Sequence, residues 1–291
     1  MTIPENLPAS GKADYDQSLG ALRISDRDRY LACLLSPPDK RGPLSALYAF
    51  HAEIARIRDI VREPLPGEIR LQWWRDVLYD KTGAGANGHP LAEALLVAIE
   101  AHDLPIPVLQ DMIDARIFDL YDDPMESRSS LEGYAGETAS ALIQLASLVL
   151  DPAGAPQSAV AAGHAGVAQT VAGLLLLLPQ HRRRGQVYFP ADLLAATGLT
   201  RETFLSGEDK DAIGLAIRAF AGLGREHLAK ARADAARISA ANRHAFTALA
   251  LAEPVFDRAE RAGAGLFERS ILPAQWRRQW WMWRTARTGR W

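Results

Sequence analysis

Twenty consecutive residues, Ala159 to Leu178, contain no Asp, Glu, Lys or Arg. A helix apolar on every side has two stable homes: a bilayer, or the centre of a bundle whose other helices cover it. The run reaches the ~20 residues that span a membrane. Its Ala and Gly content, with His164, Gln169 and Thr170 inside it, suits the bundle centre better. A central helix of that kind predicts an all-α protein wrapped around it.

The rest of the chain agrees. Tyr30, Leu34, Leu44, Leu47, Tyr48, Ile54 and Ile57 recur at helical spacing between Asp26 and Val61. Ser36-Pro37-Pro38-Asp39 interrupts them, and Pro64 and Pro66 are expected to close the second helix. Further helices are predicted over 67–79, 90–102, 105–121, 129–150, 157–179, 190–196, 200–205, 209–238, 242–262 and 273–286. Residues 83–88 read as a turn. Alanine is abundant and no sustained period-two alternation occurs, so strands are not expected. The expected organisation is a flexible segment over 1–20 and one helical domain over 21–291, ending in a Trp/Arg-rich stretch over 276–291.

Bulk properties exclude several classes. A net charge of −2 in 291 residues gives no general attraction to nucleic acid. Cys33 is the only cysteine, so neither an internal disulfide nor a thiolate zinc site is available. No HExxH, Walker loop, dinucleotide fingerprint or Gly-x-Ser-x-Gly elbow is present. The first residues lack an apolar run and are not Arg-rich, so a cytoplasmic, bacterial-style start is expected.

Four strings carry a resemblance: Leu47-Tyr48-Ala49-Phe50, Arg70-Leu71-Gln72-Trp73-Trp74, Tyr134 with Ala139-Ser140, and Gly185-Gln186-Val187-Tyr188-Phe189-Pro190. In order and spacing they resemble the squalene/phytoene synthase family from about Tyr30 to Pro190, and the ungapped run Gly166 to Pro190 is the most specific part. The resemblance implies a single isoprenoid-synthase-type helical bundle around a central apolar cavity. In that family two aspartate-rich helices hold magnesium ions that bind two prenyl diphosphates for head-to-head condensation. Carboxylates four residues apart share a helix face, which is what bridging magnesium to phosphate requires.

The metal positions are where this chain departs. The family's leading aspartate falls on Ala55 and its neighbour on Arg56, leaving Asp59 as the candidate catalytic carboxylate. On the second helix the family's glutamine, asparagine and two aspartates fall on Thr170, Gly173, Leu177 and His181. No metal site is expected there, and no cofactor, with magnesium entering only if the chain is an active transferase. The scaffold positions Tyr48, Tyr134, Gly185, Tyr188 and Pro190 are kept, and Asp119 also matches. Loss confined to the metal shell resembles the non-catalytic branch of the family, which includes a respiratory complex I assembly factor. The strings Glu53-Ile54-Ala55 and Gly67 to Trp74 carry that closer likeness.

Two readings follow from the resemblance. One is a pseudoenzyme in assembly or lipid handling, peripheral to the inner membrane, with a respiratory-complex subunit as partner. The other is an active prenyl diphosphate transferase using farnesyl or geranylgeranyl diphosphate. In the first, the cavity takes a prenyl phosphate or lipid, and the candidate contacts are Tyr48, Arg56, Asp119, Tyr134, His181, Arg182, Arg184 and Tyr188. Arginine forks suit phosphate oxygens, yet arginines at a helix C-terminus also simply favour the helix dipole. The second candidate surface is Trp276, Arg277, Arg278, Trp280, Trp281, Trp283 and Arg284: four tryptophans and three arginines within nine residues. That composition suits a membrane interface, a partner surface, or indoles packed inward with arginines reaching to water.

Overall fold

The computed structural model describes residues 9–80, 84–86 and 88–291, and no strand occurs among them. The first half runs α1 (Ala9–Ser25), α2 (Arg27–Leu35), α3 (Arg41–Ala55), α4 (Ile57–Ile60), α5 (Pro64–Tyr79), α6 (Pro90–His102), α7 (Ile106–Ala115), α8 (Arg128–Ala135) and α9 (Ala141–Leu150). The second runs α10 (Ala155–Arg183), α11 (Ala191–Ala196), α12 (Arg201–Ser206), α13 (Lys210–Ala233), α14 (Ala252–Ala262) and α15 (Gln275–Thr288).

Helix α10 is the uncharged run and lies at the centre, packed by α9, α13 and α14. It is the one helix among the described residues long and apolar enough to cross a bilayer. Its buried positions, including Ala161, Ala165, Ala168, Val171, Leu175 and Leu178, face other helices of the bundle. Small residues let neighbours come close. Gly166 sits against the backbone of Ser140, and Gly224 of α13 against the Phe256 ring of α14. Across the same α13–α14 seam, Arg225 bridges Glu253 at 2.8 Å, Asp257 at 2.7 Å and Glu260.

Several boundaries differ from expectation for identifiable reasons. Pro64 and Pro66 open α5 rather than closing the helix before it, because proline in the first helical turn gives up an N–H that has no partner there. Pro179 does not end α10, which continues to Arg183. Arg182 and Arg183 in the last turn favour the C-terminal dipole. The helix then stops at Gly185, with φ of 72°. Gln186 N–H donates to the His181 carbonyl and Gly185 N–H to that of Arg182, the paired bonds of a Schellman stop. The expected helix over 129–150 forms as α8 and α9, joined by a π-helical turn at Gly136–Ser140. The 105–121 segment ends at Ala115 and resumes as a 3-10 turn, Phe118–Leu120. The front of the 242–262 segment is likewise 3-10, Asn242–Leu251.

The segment expected to be flexible over 1–20 is helical from Ala9, and residues 1–8 lie outside the described residues. Tyr15 explains the order. It packs on Ala46, Ala94 and Ala98, and its ring lies against Gly42, where a methyl group would have no room. Of the 83–88 turn, Ala84–Ala86 form a 3-10 turn, while Gly83 and Asn87 lie outside the described residues.

Candidate functional site

Between α3–α4, α10 and α14 lies a cavity of about 380 Å³. Its α10 wall centres on Gln169, Thr170, Gly173, Leu174, Leu177, Gln180 and His181, with Ala172 and Leu176 at its edge. Leu251, Ala252 and Val255 close the opposite side. At Gly173 a Cβ would meet nothing within 4 Å. Leu174 and Leu177 therefore line the cavity rather than filling it, while Leu175 and Leu178 are committed to the core.

The polar end is built around Asp119, which is 6% exposed. Its carboxylate accepts from Tyr134 Oη at 2.9 Å, Tyr188 Oη at 2.9 Å and Arg116 Nη1 at 3.1 Å. Its backbone carbonyl accepts from Gln186 at 2.9 Å. Arg116 also donates to Tyr134 Oη at 2.5 Å and reaches His51 Nε2 at 3.1 Å. Burial opposes the Arg116 charge, but the Tyr134 oxygen and the Asp119 carboxylate outweigh it and raise its pKa. Burial, then the positive charges of Arg29 and Arg116, push His51 well below the usual imidazole range. A neutral His51 can accept from Arg116. Burial also raises the Tyr134 and Tyr188 phenols.

Asp59 stands at the rim. Its Oδ1 accepts from Arg184 Nη1 at 2.5 Å, tying α4 to the end of α10. Side-chain exposures of 54% for Asp59 and 33% for Arg184 place this pair at the cavity mouth. His181 lies deeper, its ring 4.7 Å from that of Tyr188. Burial lowers its pKa to about 4. The folded value thus lies below the ~6.5 of an unfolded histidine, so the unfolded chain takes up the proton first as pH falls. Stability contributed by neutral His181 is complete above about pH 6.5 and is lost on acidification towards about pH 4. Thermal unfolding midpoints should fall across that window, by up to about 1.4 kcal/mol of stability per pH unit for this histidine. His181→Gln should flatten the slope; an unchanged slope would assign it elsewhere.

Other expected contacts are placed outside the cavity wall. Arg56 is exposed at the α3–α4 break, where its backbone ends α3. Arg182 is turned one helical step from the cavity. It donates to the Leu205 and Ser206 carbonyls at the end of α12 and lies 4.6 Å from the Phe267 ring. Tyr48 is buried under Arg29, 5.3 Å away, and serves the core. Sequence reasoning missed Arg116, His51, Arg29 and Gln169. For Arg116 a signal existed in its i,i+3 spacing to Asp119; His51 reaches it across 65 residues, which no local pattern displays.

The residues present do not fit a magnesium cluster. Ala55, Gly173 and Leu177 offer no ligand oxygen, His181 is half-buried with its ring against Tyr188, and Asp59 is bonded to Arg184. Among the described residues no group of three or more His, Cys, Asp or Glu side chains converges to hold an ion. The lining charges balance: four arginines (29, 58, 116, 184) against four aspartates (26, 28, 59, 119). Each is engaged. Arg29 pairs with Asp26 at 3.3 Å and Asp28 with Arg278 at 2.5 Å. Arg58 faces Asp122 at 3.8 Å. Cys33 is buried, which pushes its thiol up to about 12 and leaves no nucleophile.

The bundle, with its cavity beside a central helix, has the isoprenoid-synthase fold of its structural neighbours. A dehydrosqualene synthase in complex with ligand superposes with a TM-score of 0.79 over 96% of this chain and 97% of that one, at 16% identity. The Squalene/phytoene synthase family model matches residues 22–284, and the chain belongs to that family. Among its relatives, NADH dehydrogenase (ubiquinone) complex I, assembly factor 6 of Rattus norvegicus is 31% identical over 253 residues, covering 87% of this chain and 76% of the relative. A phytoene synthase of Thermus thermophilus is 27% identical over 206 residues, covering 69% of this chain and 68% of that one.

Proposed function

We propose that this chain is a non-catalytic family member that acts in respiratory complex I assembly or lipid handling, peripheral to the inner membrane on the cytoplasmic side of a bacterium. A respiratory-complex subunit is its proposed protein partner. One observation carries the reading: the single carboxylate left at the metal face, Asp59, is neutralised by Arg184. The likeness to assembly factor 6 supports it. No cofactor is required; magnesium belongs to the enzymatic alternative.

The cavity, in this reading, holds one lipid-like chain. Its volume of about 380 Å³ lies near the lower end of single-ligand pockets, roughly 300–1,000 Å³. Two prenyl diphosphates would crowd it. A diphosphate headgroup would also have to break arginine pairs that are already made, whereas a neutral head needs only hydrogen bonds. Gln169 Nε2, buried and unpartnered on the wall, is a donor for such a head.

Pyrophosphate release tests this. Purified protein with farnesyl or geranylgeranyl diphosphate, magnesium and NADPH is expected to release none above blank, beside an active synthase. In the same preparation, farnesol should bind more tightly than farnesyl diphosphate by calorimetry. Magnesium-dependent release would overturn the reading in favour of a prenyl diphosphate transferase forming a squalene- or phytoene-type product.

A further inference from the structure

Helix α15 turns two unlike faces to its surroundings. Arg278, Met282 and Thr285 point inward and are buried. Two residues round, about 200° away at 3.6 residues per turn, Trp276, Trp280 and Trp283 stand outward with exposures of 65%, 52% and 44%. These three indoles do not pack on the bundle, whereas of the same predicted surface Arg278 is buried and Trp281 half-buried. Each is flanked by an arginine: Arg277 lies 5.1 Å from the Trp276 ring, Arg284 5.3 Å from Trp280, and Arg287 4.7 Å from Trp283.

The charge of this face has one sign. No acid follows Glu268 in the sequence. The acids that border it are each paired with arginine: Asp28 with Arg278, Glu253 with Arg225 and Arg232, and Asp257 with Arg225. Beside α15, Arg23 and Arg27 at the α1–α2 junction share a depression with Gln275, Gln279 and the Asp28–Arg278 pair, and Ile24 between them is 85% exposed. The surface thus continues in kind: apolar tips among arginines. The helix is fastened to the bundle by the Arg278–Asp28 pair at 2.5 Å.

We infer that the outer face of α15, with Arg23, Ile24 and Arg27, seats the protein on an anionic membrane surface. Indoles favour the headgroup zone, and arginines beside them meet lipid phosphates. A protein partner's footprint typically mixes charges and interlocks in pockets. The charged side chains of the outer face are all arginines and the acids at its edges are already paired, which matches a negative plane. The inference rests on the membrane-peripheral part of the proposed function. A chain that releases pyrophosphate yet binds vesicles fails the non-catalytic reading and passes this one.

Co-sedimentation with vesicles of phosphatidylcholine alone, or mixed with phosphatidylglycerol, tests it. The full chain should sediment with the mixed vesicles and release as salt rises. At about five-fold per surface arginine, Arg277→Gln/Arg284→Gln/Arg287→Gln should lose about 100-fold in partition. Trp276→Ser/Trp280→Ser/Trp283→Ser should also detach, with an unchanged melting curve. Should a triple variant misfold, Trp276→Ser alone serves, being the most exposed of the three. Wild type that ignores anionic vesicles at low salt overturns the inference and assigns the face to a protein partner. Well-folded variants that partition like wild type overturn it equally.

Discussion

Asp119→Ala should lower stability by about 3–5 kcal/mol, a fall in melting temperature on the order of 10 °C for a chain of this size. The reason lies in what the substitution leaves behind. Arg116 would stay charged, with a side chain only 11% exposed and its carboxylate partner gone. Tyr134 and Tyr188 would lose the acceptor that both phenols share. Removing both charges should cost less than removing one, because the double variant strands no ion. A melting series over Asp119→Ala, Arg116→Met and the double variant decides this. Equal losses in single and double would show that packing around the site matters and the charge pair does not.

Gly166→Ala should cost about 3 kcal/mol or more, at the top of the usual range for overpacking. A Cβ there would lie 2.3 Å from the Ser140 backbone N and 2.5 Å from its Cα. Backbone cannot swing aside as a side-chain tip can. Helix α10 would have to move off the π-helical turn at Gly136–Ser140. Gly163 and Gly173, on the same helix, face open space at their Cβ positions. Alanine at either should be neutral or stabilising by up to about 1 kcal/mol, since it favours helix. Denaturant midpoints for the three variants give the comparison. A Gly166→Ala midpoint within error of wild type would mean that the helices separate freely, contrary to their packing.

The legible parts of this fold are those set by local chemistry. An uncharged run long enough to need cover on all sides identifies the central helix. Pro37-Pro38 and Gly185 mark real interruptions. Proline direction is less legible: Pro64 opens a helix and Pro179 rides inside one, and both outcomes depend on which N–H groups the neighbours leave unused. Tyr15 orders a helix that its own polar sequence does not announce, because three alanines from two other helices seat its ring. At the site, resemblance located Asp59, Asp119, Tyr134, His181 and Tyr188 around one cavity wall. It could not assign the neighbouring arginines. Arg182 and Arg184 are two residues apart at the end of α10, about 200° in rotation, so one caps α12 while the other meets Asp59. His51 and Arg29 acquire their roles only when distant segments fold together.

The Asp59–Arg184 pair has a consequence for the order in which such a chain could change. Restoring aspartate at 55, 177 or 181 would place new carboxylates around a position that a guanidinium already occupies. An incoming divalent ion would meet that cation, and each added acid would strengthen the cation's hold instead of freeing a ligand. Loss of the arginine must come first, and by itself it leaves Asp59 without a partner. The pair therefore works as a ratchet: drift at the metal face passes freely in one direction, and the return path begins with a step that brings no immediate gain.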